Sequence, residues 1–258
     1  MTGYEELVNL ERARRAARAR ADARGVLVAA VTARDARLTR CRGGAIEEIE
    51  TFHAHTPVPP SYSIELASRA PANAMMERQL RVGMRRMLSE LSDRIAESAG
   101  GGAGVVIGGT PAAVTMAVEL LPAALAARVY VDPGLRIPPS ASDLRQAAQR
   151  GASMLRERQE EKLVKAVLDG AVARGCGVTG REGVERALDV GAVRALVLSR
   201  PFVERDPRSA DALACRAAAQ GASVEEIDGT ARERLDAEGN GVAALLVLGL
   251  RRNGGGCV

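Results

Sequence analysis

The sequence predicts two α/β domains in tandem. Three short apolar runs, at 26–31, 36–41 and 45–52, are separated by turn-like Ala33-Arg34-Asp35 and Gly43-Gly44, which is the pattern of an antiparallel meander. After them, helical and strand patterns alternate to the end of the chain, as in a sheet covered by helices. Between the two halves, residues 133–142 are dense in Pro and Ser and mark a boundary.

Composition narrows the core and the chemistry. The 258 residues are 47% hydrophobic and 26% charged, a globular profile, yet only 2% are aromatic and Trp is absent. Leu, Val and Ala must therefore supply the burial, which favours close helix-on-sheet packing. A net charge of +4 is a mild bias toward polyanions. Cys41, Cys176, Cys215 and Cys257 are far apart and form no CxxC pair, so a zinc site or disulfide framework is not expected. Charges occupy the N-terminal stretch where a signal peptide needs its apolar run, and no stretch reaches the ~18 apolar residues of a membrane span. The expectation is a soluble, cytoplasmic protein.

The elements follow in chain order. Residues 1–24 form a basic segment in which Arg12, Arg14, Arg15, Arg18, Arg20 and Arg24 stand among alanines. Ala and Arg both favour helix, so this is a basic helix, or a tail that becomes helical on a partner. The three meander strands come next, and the Pro- and Ser-rich stretch 54–72 is a loop. The helix after it places Leu80, Met84, Met87, Leu88, Leu91 and Ile95 on one face. Arg78, Arg81 and Arg85 share an adjacent face, and Arg86 points elsewhere. Glycines at 100–104 end this helix, 105–107 is a short buried strand, and Thr110 and Pro111 supply an N-cap and first helical position. One helix runs through 112–126, and 127–131 is the next strand. Three antiparallel strands, then helix, strand, helix, strand, is the order of a ribonuclease-H-like domain, here 25–132.

Past the 133–142 linker, the spacing predicts one long helix over 143–173 with a charged centre. A helix stopped by Gly191, a strand at 193–199, a helix stopped by Gly221, a strand at 222–227, a short helix at 231–239 and a buried strand at 242–248 follow. They compose a second α/β sandwich, 143–251. Residues 252–258 are a tail whose last four residues do not fit a prenylation signal.

Catalytic constellations are missing. The Gly-rich stretch 100–111 has no Lys followed by a hydroxyl residue, and its first glycines precede the strand rather than follow it, so it is a turn and a helix cap instead of a phosphate loop. A two-metal nuclease needs converging carboxylates, and the first strand, Val26 to Val31, has none. Asp35 sits in a turn, and Glu47, Glu48 and Glu50 lie on the solvated side of a strand. His53 and His55, the two histidines, face the same way at a strand end, but no third metal ligand can be named. No GxSxG, HExxH or Cys–His arrangement occurs. No catalytic, cofactor-binding or metal-binding residue is assigned.

The second half carries a family resemblance. Gly177, Val178, Val184, Ala187, Leu188, Gly191, Ala192 and Val193 match a helix-then-strand pattern. Ala217, Gly221, Ala222, Val224, Leu235, Gly239, Gly241, Val242, Ala243, Ala244 and Leu245 match a closing pattern in which Asn240 replaces one glycine. In this arrangement the chain resembles the C-terminal domain of archaeo-eukaryotic peptide-chain release factors and their Pelota relatives. The opening of the first domain and the stretch 105–129 resemble that family's middle domain, as written in bacterial members.

The resemblance implies a ribonuclease-H-like middle domain, a C-terminal α/β/α sandwich, and a place in translation. Two departures qualify it. The family's catalytic element is a Gly-Gly-Gln loop leading into the long helix of the middle domain, whereas the corresponding loop here, 65–79, has no Gly-Gly, and Gln79 already lies inside the helix. Peptidyl-tRNA hydrolysis by the family route is not expected. Only 24 residues precede the first domain here, so stop-codon recognition is not expected to carry over from the family. The expectation is a non-hydrolytic ribosome binder acting on idle or stalled ribosomes. Its partners would be ribosomal RNA and, through the C-terminal domain, a translational GTPase. Arg69, Arg78, Arg81 and Arg85, with Arg15 and Arg18 of the N-terminal segment, are the RNA-binding candidates. They would neutralise phosphates, since aromatic residues for base stacking are scarce. The alternatives are a peptidyl-tRNA hydrolase using another group in 54–79, such as Asn73 or Gln79, and a protein-interaction adaptor with no RNA role.

Overall fold

The computed structural model describes residues 25–55, 70–173 and 175–247. These residues divide into two compact units, with the break between Leu155 and Arg156.

The first unit opens with β1 (Val26–Val31), β2 (Asp35–Arg42) and β3 (Ala45–His53), an antiparallel meander as expected. In the first turn, the Thr32 hydroxyl oxygen accepts the amides of Arg34 and Asp35 at 3.2 and 2.9 Å. In the second, Gly43 and Gly44 take φ of 55° and 83°, the left-handed pair that a two-residue hairpin of this twist needs. Helix α1 (Ala70–Ser98) then leads to β4 (Gly104–Gly109), which runs parallel to β1. Two short helices, α2 (Pro111–Leu120) and α3 (Ala123–Ala126), precede β5 (Val129–Val131). The sheet order is β3-β2-β1-β4-β5.

Alternation along the strands fills two layers. Leu27, Ala29, Val31, Val105 and Ile107 face α1 and α2, while Val28, Ala30 and Val106 face Leu135, Leu144, Ala147 and Ala148 on the opposite side. Two expectations are corrected here. The single helix over 112–126 is two helices, because Pro122 brings no amide hydrogen and its ring would clash one turn back. The segment 133–142 is no spacer between units. Leu135 is buried on the first sheet with the opening turns of α4 (Ala141–Ala173), and the division falls inside that helix.

The second unit holds β6 (Gly177–Thr179), α5 (Arg181–Asp189), β7 (Val193–Ser199), α6 (Arg200–Arg205), α7 (Pro207–Ala219), β8 (Ser223–Ile227), α8 (Ala231–Gly239) and β9 (Val242–Leu246). Its sheet order is β6-β9-β7-β8. Leu196, Leu198, Val242 and Ala244 pack on α5, α6 and α7, whereas Val197, Ala243 and Ile227 pack on α8 and on Val164, Val167 and Leu168 of α4. Helices thus cover both faces, the expected sandwich. Strand β6 and helix α6 were not anticipated. The latter is started by the Ser199 hydroxyl, which accepts the Phe202 amide at 3.3 Å, and by Pro201 in its first turn. Asn240, standing where the resemblance places glycine, has φ of 51°, the one non-glycine positive φ among the described residues. It closes α8 in the left-handed conformation that Asn tolerates best after Gly.

Candidate nucleic-acid interface

Helix α1 carries the arginines that the sequence singles out, and its packing decides what they face. From Met84 onward the apolar stripe is anchored: Met84, Met87, Leu88, Leu91 and Ile95 are all buried against the first sheet and α2. The Ser92 hydroxyl donates to the Leu120 carbonyl at 2.9 Å and ties α1 to the end of α2. From Met76 through Val82 no residue is buried, and Leu80, expected on the apolar face, is half-exposed. Gly83 is the first buried residue after Met76, so the seven residues 76–82, roughly 10 Å of helix, precede the anchored part.

Charge is distributed unevenly along the same helix. Between Ala70 and Ser89 it carries Arg78, Arg81, Arg85 and Arg86 against the single acid Glu77. From Glu90 to Ser98 it carries Glu90, Asp93 and Glu97 against Arg94. Arg94 is held by Glu50 and Glu97 at 3.0 and 2.9 Å, and Arg86 by Glu90 at 3.3 Å. Arg78, Arg81 and Arg85 are exposed, and no carboxylate among the described residues lies within ion-pair distance of them. Their spacing of three and four residues sets them along one side of the helix. Three guanidiniums without a carboxylate partner among the described residues form a cationic strip with affinity for anions. Arg15, Arg18 and Arg69 lie outside the described residues.

The His53 imidazole Nδ1 lies 2.8 Å from the Asp35 carboxylate, and no group of three metal-binding side chains occurs among the described residues. Glu48 pairs with Arg37, and Glu47 lies 3.8 Å from Arg40. No helix among the described residues is long and apolar enough to cross a membrane. One exposed residue on the arginine strip escaped the sequence reading. Val82, 65% exposed, sits between Arg78 and Arg85. The available signal was an apolar residue out of phase with the Met84–Ile95 stripe.

Residues 13–154 match the family model of bacterial archaeo-eukaryotic release factor family 10, more than half of the chain. The chain belongs to that family. The match ends beside the division at Leu155, so it covers the unit that bears α1. Solved structures extend the likeness in fold to the second unit. Pelota of Archaeoglobus fulgidus aligns over 92% of this release-factor-family protein and 68% of its own length, with a TM-score of 0.54 and 18% identity. A ribosome-bound archaeal Pelota, in a structure with ABCE1, aligns over 87% and 62% with a TM-score of 0.54 and 15% identity. Dom34 of S. cerevisiae, a translation termination-like factor that interacts with Hbs1, aligns over 86% and 62% with a TM-score of 0.52 and 8% identity. The family 10 protein thus spans about two thirds of the length of these relatives. No curated protein matches it.

Proposed function

We propose that this release-factor-family protein binds idle or stalled ribosomes through the arginine strip of α1 and does not cleave peptidyl-tRNA. The observation that carries the reading is the strip itself: Arg78, Arg81 and Arg85 are exposed, with no carboxylate partner among the described residues, on a stretch of helix where no residue from Met76 through Val82 is buried. Membership of the family supports a role in translation, and the likeness in fold of this chain to a ribosome-bound Pelota agrees with it. The family's hydrolytic element is a Gly-Gly-Gln loop entering this helix, and no Gly-Gly pair in the sequence is followed by Gln. A ribonuclease-H-like first unit would serve as the carrier of the strip. The second unit is the surface assigned to a translational GTPase, by analogy with Dom34 and Hbs1.

Sucrose-gradient co-sedimentation with empty and tRNA-filled ribosomes tests this. Three neutralised phosphates give an affinity that falls roughly 40-fold between 50 and 200 mM salt, so the protein co-sediments at low salt and is released at moderate salt. Peptidyl-tRNA added to the same mixture stays intact. Salt-independent association, or turnover lost on Gln79→Ala, contradicts the reading.

A further inference from the structure

Val82 is an exposed apolar residue on α1. It is 65% exposed, packs in none of the hydrophobic clusters, and is β-branched on an exposed helix surface where straight-chain residues are preferred. It lies four residues after Arg78 and three before Arg85, so the three side chains share one face, with the apolar group in the middle and a cation at either end. Along the helix axis the two arginines stand about 10.5 Å apart. No aromatic residue lies on α1, so unstacked bases find no platform there.

We propose that this Arg78–Val82–Arg85 face is built for the minor groove of an A-form RNA helix, with Val82 against the riboses and the arginines on phosphates at the groove margins. The proposal rests on the ribosome-binding reading above and names the form of nucleic acid that this reading requires. An A-form minor groove is wide and shallow and displays sugars, whereas its major groove is deep and narrow. The minor groove of B-form DNA, about 6 Å wide, does not admit a helix about 10 Å across, and its major groove, which does, displays base edges rather than sugars. A flexible single strand offers phosphates without fixed spacing and loses conformational entropy on being aligned to a rigid helix.

The test is fluorescence anisotropy of the full chain with three probes of one sequence: a 12-base-pair RNA duplex, the RNA single strand and the DNA duplex. Each is titrated at several salt concentrations. The RNA duplex binds several-fold more tightly than the other two, with a log–log salt slope of about −1.8 for the two phosphate contacts. Arg78→Ala reduces the magnitude of that slope by about one. Val82→Ala weakens duplex binding roughly threefold and leaves the slope unchanged, because the lost contact is apolar. Equal or tighter binding to the single strand or to DNA, or an unchanged duplex affinity in Val82→Ala, overturns the groove assignment while leaving the phosphate-binding reading intact. Binding to none of the three probes overturns both. Helix content of each variant, read by circular dichroism, matches the parent because the site is exposed.

Discussion

The Asp206 carboxylate links two helices of the second unit. Its oxygen accepts the Ser209 amide at 3.1 Å as the N-cap of α7, and Arg181 of α5 approaches it at 3.4 Å. The Ser209 hydrogen bonds, then the arginine charge, hold its pKa below the ordinary carboxylate value. A carboxylate with a depressed folded-state pKa contributes stability that is complete above the unfolded value of about 4 and is lost as pH falls through the lower folded value. Urea midpoints measured from pH 6 down to pH 2.5 will therefore fall most steeply below pH 4. Asp206→Asn will show a shallower fall than the parent, since Asn caps the helix without titrating.

At the scale of elements, α1 is a helix of two parts, and substitutions along it should separate them. Leu88→Ala, at a fully buried position under the sheet, is expected to cost about 2–5 kcal/mol in chemical denaturation. Val82→Ala, six residues earlier, should change stability by no more than about 0.5 kcal/mol. Periodicity alone could identify the anchored stripe from Met84 to Ile95, because 3.6-residue spacing is a property of the chain. It could not show that Leu80 leaves the core, since that depends on where the sheet ends. Strand β7 and the stops at Gly191 and Gly221 were legible for a similar reason: local pattern and glycine chemistry coincide there. The break at Pro122 had a local signal in the proline itself, but the apolar run around it reads as one continuous helix. The division inside α4 was not, because a helix that changes its packing partner at Leu155 keeps one unbroken periodicity. In the candidate site, the arginines were legible as a basic face. Their exposure and freedom from carboxylates among the described residues required three dimensions.

The whole molecule joins a nearly aromatic-free core to a surface on which many described arginines are paired with carboxylates, whereas Arg78, Arg81 and Arg85 of α1 have no such partner among the described residues. In the second unit most arginines are matched at short range: Arg200 holds Glu204 and Asp228, Arg181 holds Glu185, and Arg234 holds Glu238. Such pairs contribute little net charge and little to stability. Arg78, Arg81 and Arg85 present a polyanion with a compact cationic strip, in a chain of this family that lacks a Gly-Gly-Gln stretch. The most direct measurement compares ribosome co-sedimentation of the parent with two charge-reversed variants at low salt. With Arg78, Arg81 and Arg85 all changed to Glu, the protein should remain at the top of the gradient. With Arg200 and Arg234 changed to Glu, it should travel with ribosomes as the parent does. Undiminished co-sedimentation of the α1 variant would contradict the account.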